Sequence, residues 1–189
     1  MRALCFAIMS LALATAPAVA QTGAHDHAPV ASGPAASPYA GMEHRTVKAL
    51  SEQQIADLKT GRGMGLSLPA ELNGYPGPAH VLELSDALHL SDDQRARAQA
   101  LFEAMKAEAV PIGERIIVEE TALDHLFAEK AATRAVLDAA VARIASAQGD
   151  LRAAHLRYHL AMTEVLTAGQ IARYGELRGY AAGGGHHHH

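Results

Sequence analysis

Apolar residues fall along this chain in a few runs of helical spacing separated by turn-forming segments, and that pattern predicts an all-α protein. The longest run begins at Ser91 and sets Leu101, Met105, Ala109, Ile112, Ile116, Leu123 and Phe127 at the three-and-four alternation of an amphipathic helix. After a short connection, with Thr133 placed to cap the return helix, a second stripe runs through Leu137, Val141, Ile144, Leu151, Tyr158, Met162 and Val165. Together they predict a long antiparallel helical hairpin with its core over 91–180. A turn centred near residue 131 makes positions whose numbers sum to about 262 face each other. Pro111 lies inside the first run. A proline removes one ladder bond and crowds the preceding turn, so a kink near 107–113 or a break into two helices is predicted there.

Shorter helices precede the hairpin. One is predicted from Ser51 to Lys59, after an earlier turn between Met42 and Ala49, and another starts at Pro78 with Val81, Leu84 and Leu88 on one side. Between them, "GRGMGLSLPAELNGYPGP" carries Gly and Pro so densely that 61–79 reads as a shaped loop without an element of its own. Its role stays open, with structural support for the bundle, Tyr75 packing over it, set against contact with a partner.

Three near copies of one short motif mark helix starts: "LSEQQ" at 50–54, "LSDDQ" at 90–94 and "LTAGQ" at 166–170. In each, Ser or Thr at the cap position accepts a bond from the backbone N–H three residues on, while the Gln there reaches back to the cap's own N–H. Ser51 with Gln54, Ser91 with Gln94 and Thr167 with Gln170 are therefore predicted capping boxes. Leu50 with Ile55 and Leu166 with Ile171 add hydrophobic staples, and Arg95 replaces the staple partner in the middle copy. By itself this chemistry starts helices and does nothing more.

The ends of the chain change the picture. Residues 1–20, "MRALCFAIMSLALATAPAVA", combine an early Arg, an apolar run and a small-residue "AVA", the pattern of a secretory signal peptide cleaved before Gln21. No later stretch offers a transmembrane span. The lone cysteine, Cys5, lies within the signal, so the mature chain is predicted to have no thiol chemistry. Residues 21–40 read as a flexible leader, 41–182 as one all-α domain, and 183–189 as a flexible Gly/His tail. Fifteen basic against twenty acidic residues after the signal argue against a nucleic-acid partner.

An exported helical hairpin bounded by "LSDDQ" at 90–94 and "LTAGQ" at 166–170 resembles the Spy/CpxP family, whose hallmark is an LTxxQ motif, and its heavy-metal sensing and resistance relatives. The resemblance covers about Ser85 to Tyr180. It implies a periplasmic all-α protein, often dimeric, acting in envelope or metal stress without chemical turnover. Its partners would be an envelope-stress or metal-response signalling protein, or unfolded clients.

The sharpest chemical candidate is "HLRYH", which sets His155 and His159 one helical turn apart. Imidazoles at that spacing converge on one ion, and imidazole suits Cu, Zn, Ni or Co. The sensor relatives are similar in placing His and a nearby Met on their last long helix, which implies Met162 as a further ligand. The facing run offers Glu103, Met105 and Glu108, and the register sets Glu103 opposite His159. The competing reading packs His155 into the stripe and leaves His159 half-exposed against a carboxylate. Leu156 stands where a zinc protease needs its general-base Glu, so that chemistry is excluded. Glu119 and Glu120 diverge around a helix and cannot act as a pair, and a bridge from Glu119 or Glu120 to Arg143 is predicted instead. "HDH" at 25–27 and the terminal His186–His189 lie in sequence read as flexible. No cofactor is required by any motif. A metal-binding sensor or resistance factor is the leading function and an ATP-independent holdase the alternative. For the latter, 91–180 carries 11 basic against 13 acidic residues and so offers no strong net field.

Overall fold

The computed structural model describes residues 37–180. The predicted signal peptide, most of the leader, "HDH" and the terminal His run lie outside them. Among the described residues every regular element is helical and there are no strands. A single 3-10 turn at Met42–His44 precedes α1 (Glu52–Thr60), α2 (Leu68–Glu71), α3 (Pro78–Glu83), α4 (Asp92–Ala128), α5 (Arg134–Thr163) and α6 (Ala168–Leu177). No described helix is long and apolar enough to cross a membrane.

Local sequence accounts for most helix ends. Ser51, Ser91 and Thr167 each accept the N–H of the Gln three residues on, and each Gln side chain returns the bond to the cap's backbone. Thr133 caps α5 through the Val136 N–H. Gly61 ends α1 in the left-handed conformation that suits a residue without Cβ.

Two expectations are corrected. The 61–79 segment holds α2, one turn of helix with Pro69 in its first positions, where a fixed φ is already helical and no N–H is needed. And of the kink or break expected near 107–113, the break does not occur: α4 continues as one helix through Pro111. Pro111 and Ala107 are both exposed, so the carbonyl that loses its partner faces water, and the cost of the missing bond is small.

α4 and α5 pack along each other in opposite senses, with α1 and α3 against α4, and α2 and α3 against α5. Ion pairs record the register: Arg143 to Glu119 at 2.8 Å, Arg115 to Asp150 at 2.5 Å, and Arg157 to Glu108. The partner numbers sum to about 262–265, within one helical turn of the sequence-derived register. Arg95, which breaks the staple pattern, reaches back to Ser85 Oγ and Asp86.

Two apolar clusters hold these helices. One gathers Val81, Leu88, Leu90, Ala98, Met162, Val165, Leu166 and Tyr174, where α3, α6 and the adjoining ends of α4 and α5 meet. The other joins Val47, Leu50 and Leu58 to Ala109, Ile116, Ala147 and Leu151. Each fully buried aliphatic side chain contributes roughly 2 kcal/mol. Along α4 the span between Ala98 and Ala109 holds Met105. Along α5 the span between Leu151 and Met162 holds His155 and His159. All three are buried, and none belongs to either cluster. A layer holding two buried histidines thus lies between the two apolar clusters.

Candidate functional site

The layer is organised by Glu71, the last residue of α2, whose side chain is 6% exposed. Its Oε1 accepts the hydroxyls of Tyr174 and, at 3.2 Å, Tyr180, and lies 3.2 Å from His80 Nδ1. Its Oε2 accepts the Gly77 N–H at 3.2 Å. His159 Nδ1 stands 3.7 Å from Oε2, and Arg178 Nε 3.9 Å from Oε1. One carboxylate thus ties α2 to α3, α6 and the segment after α6. Burial pushes Glu71 up, but bonds from His80 and Tyr174 and the positive character of His80 and His159 outweigh it and hold the carboxyl at about 2. Burial, and then the same contact with Glu71, push Tyr174 far above the ordinary phenol range.

His159 is oriented by the loop. Its Nδ1 lies 2.7 Å from the Tyr75 carbonyl oxygen. A carbonyl can only accept, so Nδ1 carries a proton and, in the neutral ring, Nε2 keeps its lone pair. Gly77 packs against that edge: a Cβ there would stand 2.9 Å from His159 Cε1 and 3.0 Å from Nε2.

His155 is different. It is 2% exposed, and its Nε2 is buried with no hydrogen-bond partner. Burial pushes its imidazole below the ordinary range, and the neighbouring His159 adds to this. Gly63 faces the ring, its absent Cβ lying 3.6 Å from Nδ1. Ser67 precedes α2, yet its hydroxyl makes no capping bond and is the second buried polar group without a partner. Both residues line a cavity of about 240 Å³ whose wall also includes Met64, Glu71, Gly77, His80, Met105 and His159. Buried polar atoms are nearly always paired, so two orphans on one cavity wall call for a ligand or water there.

Of the residues singled out from sequence, His155 and His159 come together. Glu103 and Met162 do not join them. Glu103 is exposed and accepts a bond from Gln99. It lies two residues, about 200° around the helix, from Met105, which is the one facing inward. Met162 shares the histidine stripe but sits one turn beyond it, fully buried in the first apolar cluster. The half-exposed His159 of the competing reading is instead buried. The predicted Arg143 bridge forms with Glu119.

The Gln residues of two capping boxes do more than cap. Gln94 Nε2 donates to Gln170 Oε1 at 2.8 Å and Gln170 Nε2 to Gln94 Oε1 at 2.9 Å. The same amides also donate to the Val165 and Leu88 carbonyls.

Glu71, His80, Tyr174, Ser67 and Met64 were not signalled by any motif. The one local hint is the spacing of Ile171, Tyr174 and Leu177, which puts Tyr174 on the inward stripe of α6. Among the described residues, no group of three or more His, Cys, Asp or Glu side chains is placed to hold a metal ion. Compared with family models, with curated proteins and with solved structures, the chain matches none at a significant level.

Proposed function

We propose that this chain is an exported, periplasmic, non-enzymatic protein that binds a transition-metal ion in the cavity beside His155 and His159 and acts as a metal sensor or resistance factor. The observation that carries the reading is the buried, unpartnered Nε2 of His155, a residue that lines the cavity. Two features fit it. The Tyr75 carbonyl fixes His159 in the tautomer that leaves Nε2 free, the outer-shell arrangement that ligating histidines use. Gly77 leaves the His159 ring room that a Cβ at that position would take.

An ion bound there would join α5 to its neighbours and bias their packing, which is the physical content of sensing. At one hundred times its dissociation constant it would stabilise the fold by about 2.7 kcal/mol. The full-length chain carrying His25→Ala, His27→Ala, His186→Ala, His187→Ala, His188→Ala and His189→Ala removes the peripheral histidine runs. Its melting midpoint is expected to rise with at least one of Cu, Zn, Ni or Co. His155→Ala with His159→Ala should abolish the rise, each variant being read against its own metal-free midpoint. Absence of any shift in the chain that keeps His155 and His159 sinks the reading.

A second reading, an ATP-independent holdase, is favoured by one observation. Val118, Phe127, Val136 and Val141, on the parts of α4 and α5 that neither cluster covers, are 65%, 57%, 42% and 49% exposed. Suppression of a model client's aggregation at stoichiometric protein, lost on Val118→Ser with Phe127→Ser, is its test. Unchanged aggregation with the parent chain counts against it.

A further inference from the structure

We propose that the ion is soft and monovalent, Cu(I) or its redox-inert analogue Ag(I), and that His155 binds it together with the thioethers of Met64 and Met105. This rests on the metal reading above and narrows it.

Beyond the two imidazoles of His155 and His159, the cavity wall offers a divalent ion no further nitrogen or carboxylate donor that is unengaged. No three His, Cys, Asp or Glu side chains among the described residues are placed to hold one. Glu71, the carboxylate on the wall, is occupied by Tyr174, Tyr180, His80 and the Gly77 N–H. His80 is in turn engaged with Glu71. What the wall adds to His155 is sulfur, from Met64 and Met105. Thioethers are soft ligands that favour Cu(I) over Zn(II), Ni(II) or Co(II), and imidazole is compatible with either class.

Met105 is 7% exposed and lines the cavity with His155 from the inward stripe of α4. Met64 stands between two glycines with φ at +45°, in the left-handed region that favours glycine, and its side chain is 40% exposed. A half-exposed side chain gains little burial in return for that backbone conformation. What Met64 supplies is a thioether where the cavity meets the adjoining cleft, which Met64 and Met105 also line. Met64 and Met105 therefore line both the cavity that holds His155 and the cleft beside it.

Charge points the same way. The cost of burying an ion rises with the square of its charge, and His155, Met64 and Met105 are neutral donors that offset none of it. A monovalent ion is the smaller burden, and Glu71 supplies a nearby negative charge.

The test uses the full-length chain lacking the six peripheral histidines. Cu(I) affinity is measured anaerobically by competition with a chromogenic Cu(I) chelator, Ag(I) is run in parallel, and X-ray absorption reads the donor atoms. One Cu(I) per chain with both nitrogen and sulfur scatterers is expected. Met64→Leu and Met105→Leu should each weaken Cu(I) by at least about tenfold while leaving the metal-free melting point nearly unchanged. Met64→Leu keeps the test decisive if Met105→Leu disturbs the fold, because residue 64 is half-exposed. Cu(I) affinity unchanged by both variants, or a spectrum without sulfur, overturns the proposal. Divalent ions bound through His155 and His159 with no preference for Cu(I) overturn it and leave the broader metal reading standing. No binding of any ion overturns both.

Discussion

Gln94 and Gln170 exchange side-chain amide bonds across 76 residues of sequence, each also closing its own capping box. The starts of α4 and α6 are thereby one hydrogen-bonded unit in which both amide oxygens and both amide nitrogens are used. A cap alone is worth about 1 kcal/mol. A part-buried reciprocal pair should show in addition a coupling of roughly 0.5–3 kcal/mol. Urea unfolding of Gln94→Ala, Gln170→Ala and the double variant measures it. Gln54→Ala, whose amide caps only its own helix, is the control and should show no coupling to either. Strict additivity of Gln94→Ala and Gln170→Ala removes the clasp from the account.

Gly113 and Gly149 sit in the interiors of the two long helices and should respond to alanine with opposite signs. A Cβ on Gly113 would stand 2.4 Å from the Leu58 carbonyl oxygen, a backbone atom of α1 that cannot swing aside. Gly113→Ala is expected to cost about 1–3 kcal/mol by forcing α1 off α4. Nothing lies within 4 Å of a Cβ on Gly149, which is exposed. Gly149→Ala should stabilise by about 0.8–1 kcal/mol through helix propensity alone. Thermal melts of both variants decide the matter.

The contrast between these positions shows what the sequence could reveal. Caps were legible at Ser51, Ser91 and Thr167 because the chemistry that starts a helix is complete within four residues. The two long stripes were legible because burial on one face imposes a period. Pro111 does not break α4 because its cost depends on which face of the helix it occupies, and it occupies the wet one. The one-turn helix α2 was hidden by the glycines and prolines around it. Within the site, His155 and His159 were found as a local pair. The carboxylate beside them was not, since Glu71 meets Tyr174 across 103 residues and no short motif encodes that meeting. Glu103 was chosen over Met105 by register, but a difference of two residues on a helix reverses the face.

Gly77→Ala should act on His159 without touching it in sequence. The added methyl would stand 2.9–3.0 Å from the imidazole edge, so the ring must turn away from the Tyr75 carbonyl or the loop must lift. Either movement disturbs the tautomer that leaves Nε2 free. Metal-induced stabilisation should fall by a larger fraction than the metal-free stability. Nitrogen chemical shifts of the His159 ring check the cause directly. An unchanged ring signal and an unchanged metal response would show that residue 77 has no such influence.

Glu71→Gln separates the charge of the central carboxylate from its shape. The amide keeps the volume but weakens charge-assisted bonds from Tyr174, Tyr180 and the Gly77 N–H, and loses of about 2–3 kcal/mol are expected at neutral pH. The sign with pH follows from the depressed carboxyl. Its folded value of about 2 lies below the 4.5 of a free glutamate, so its contribution is complete above about pH 4.5 and is lost as pH falls toward 2. In chelator, to exclude bound ions, the stability gap between parent and Glu71→Gln should be present at about pH 5 and close as the pH falls from about 4.5 toward 2. Urea midpoints at half-unit pH steps measure that gap. A gap at pH 3 as large as that at pH 5, or larger, would mean that the carboxylate's charge is not what holds α2, α3 and α6 together.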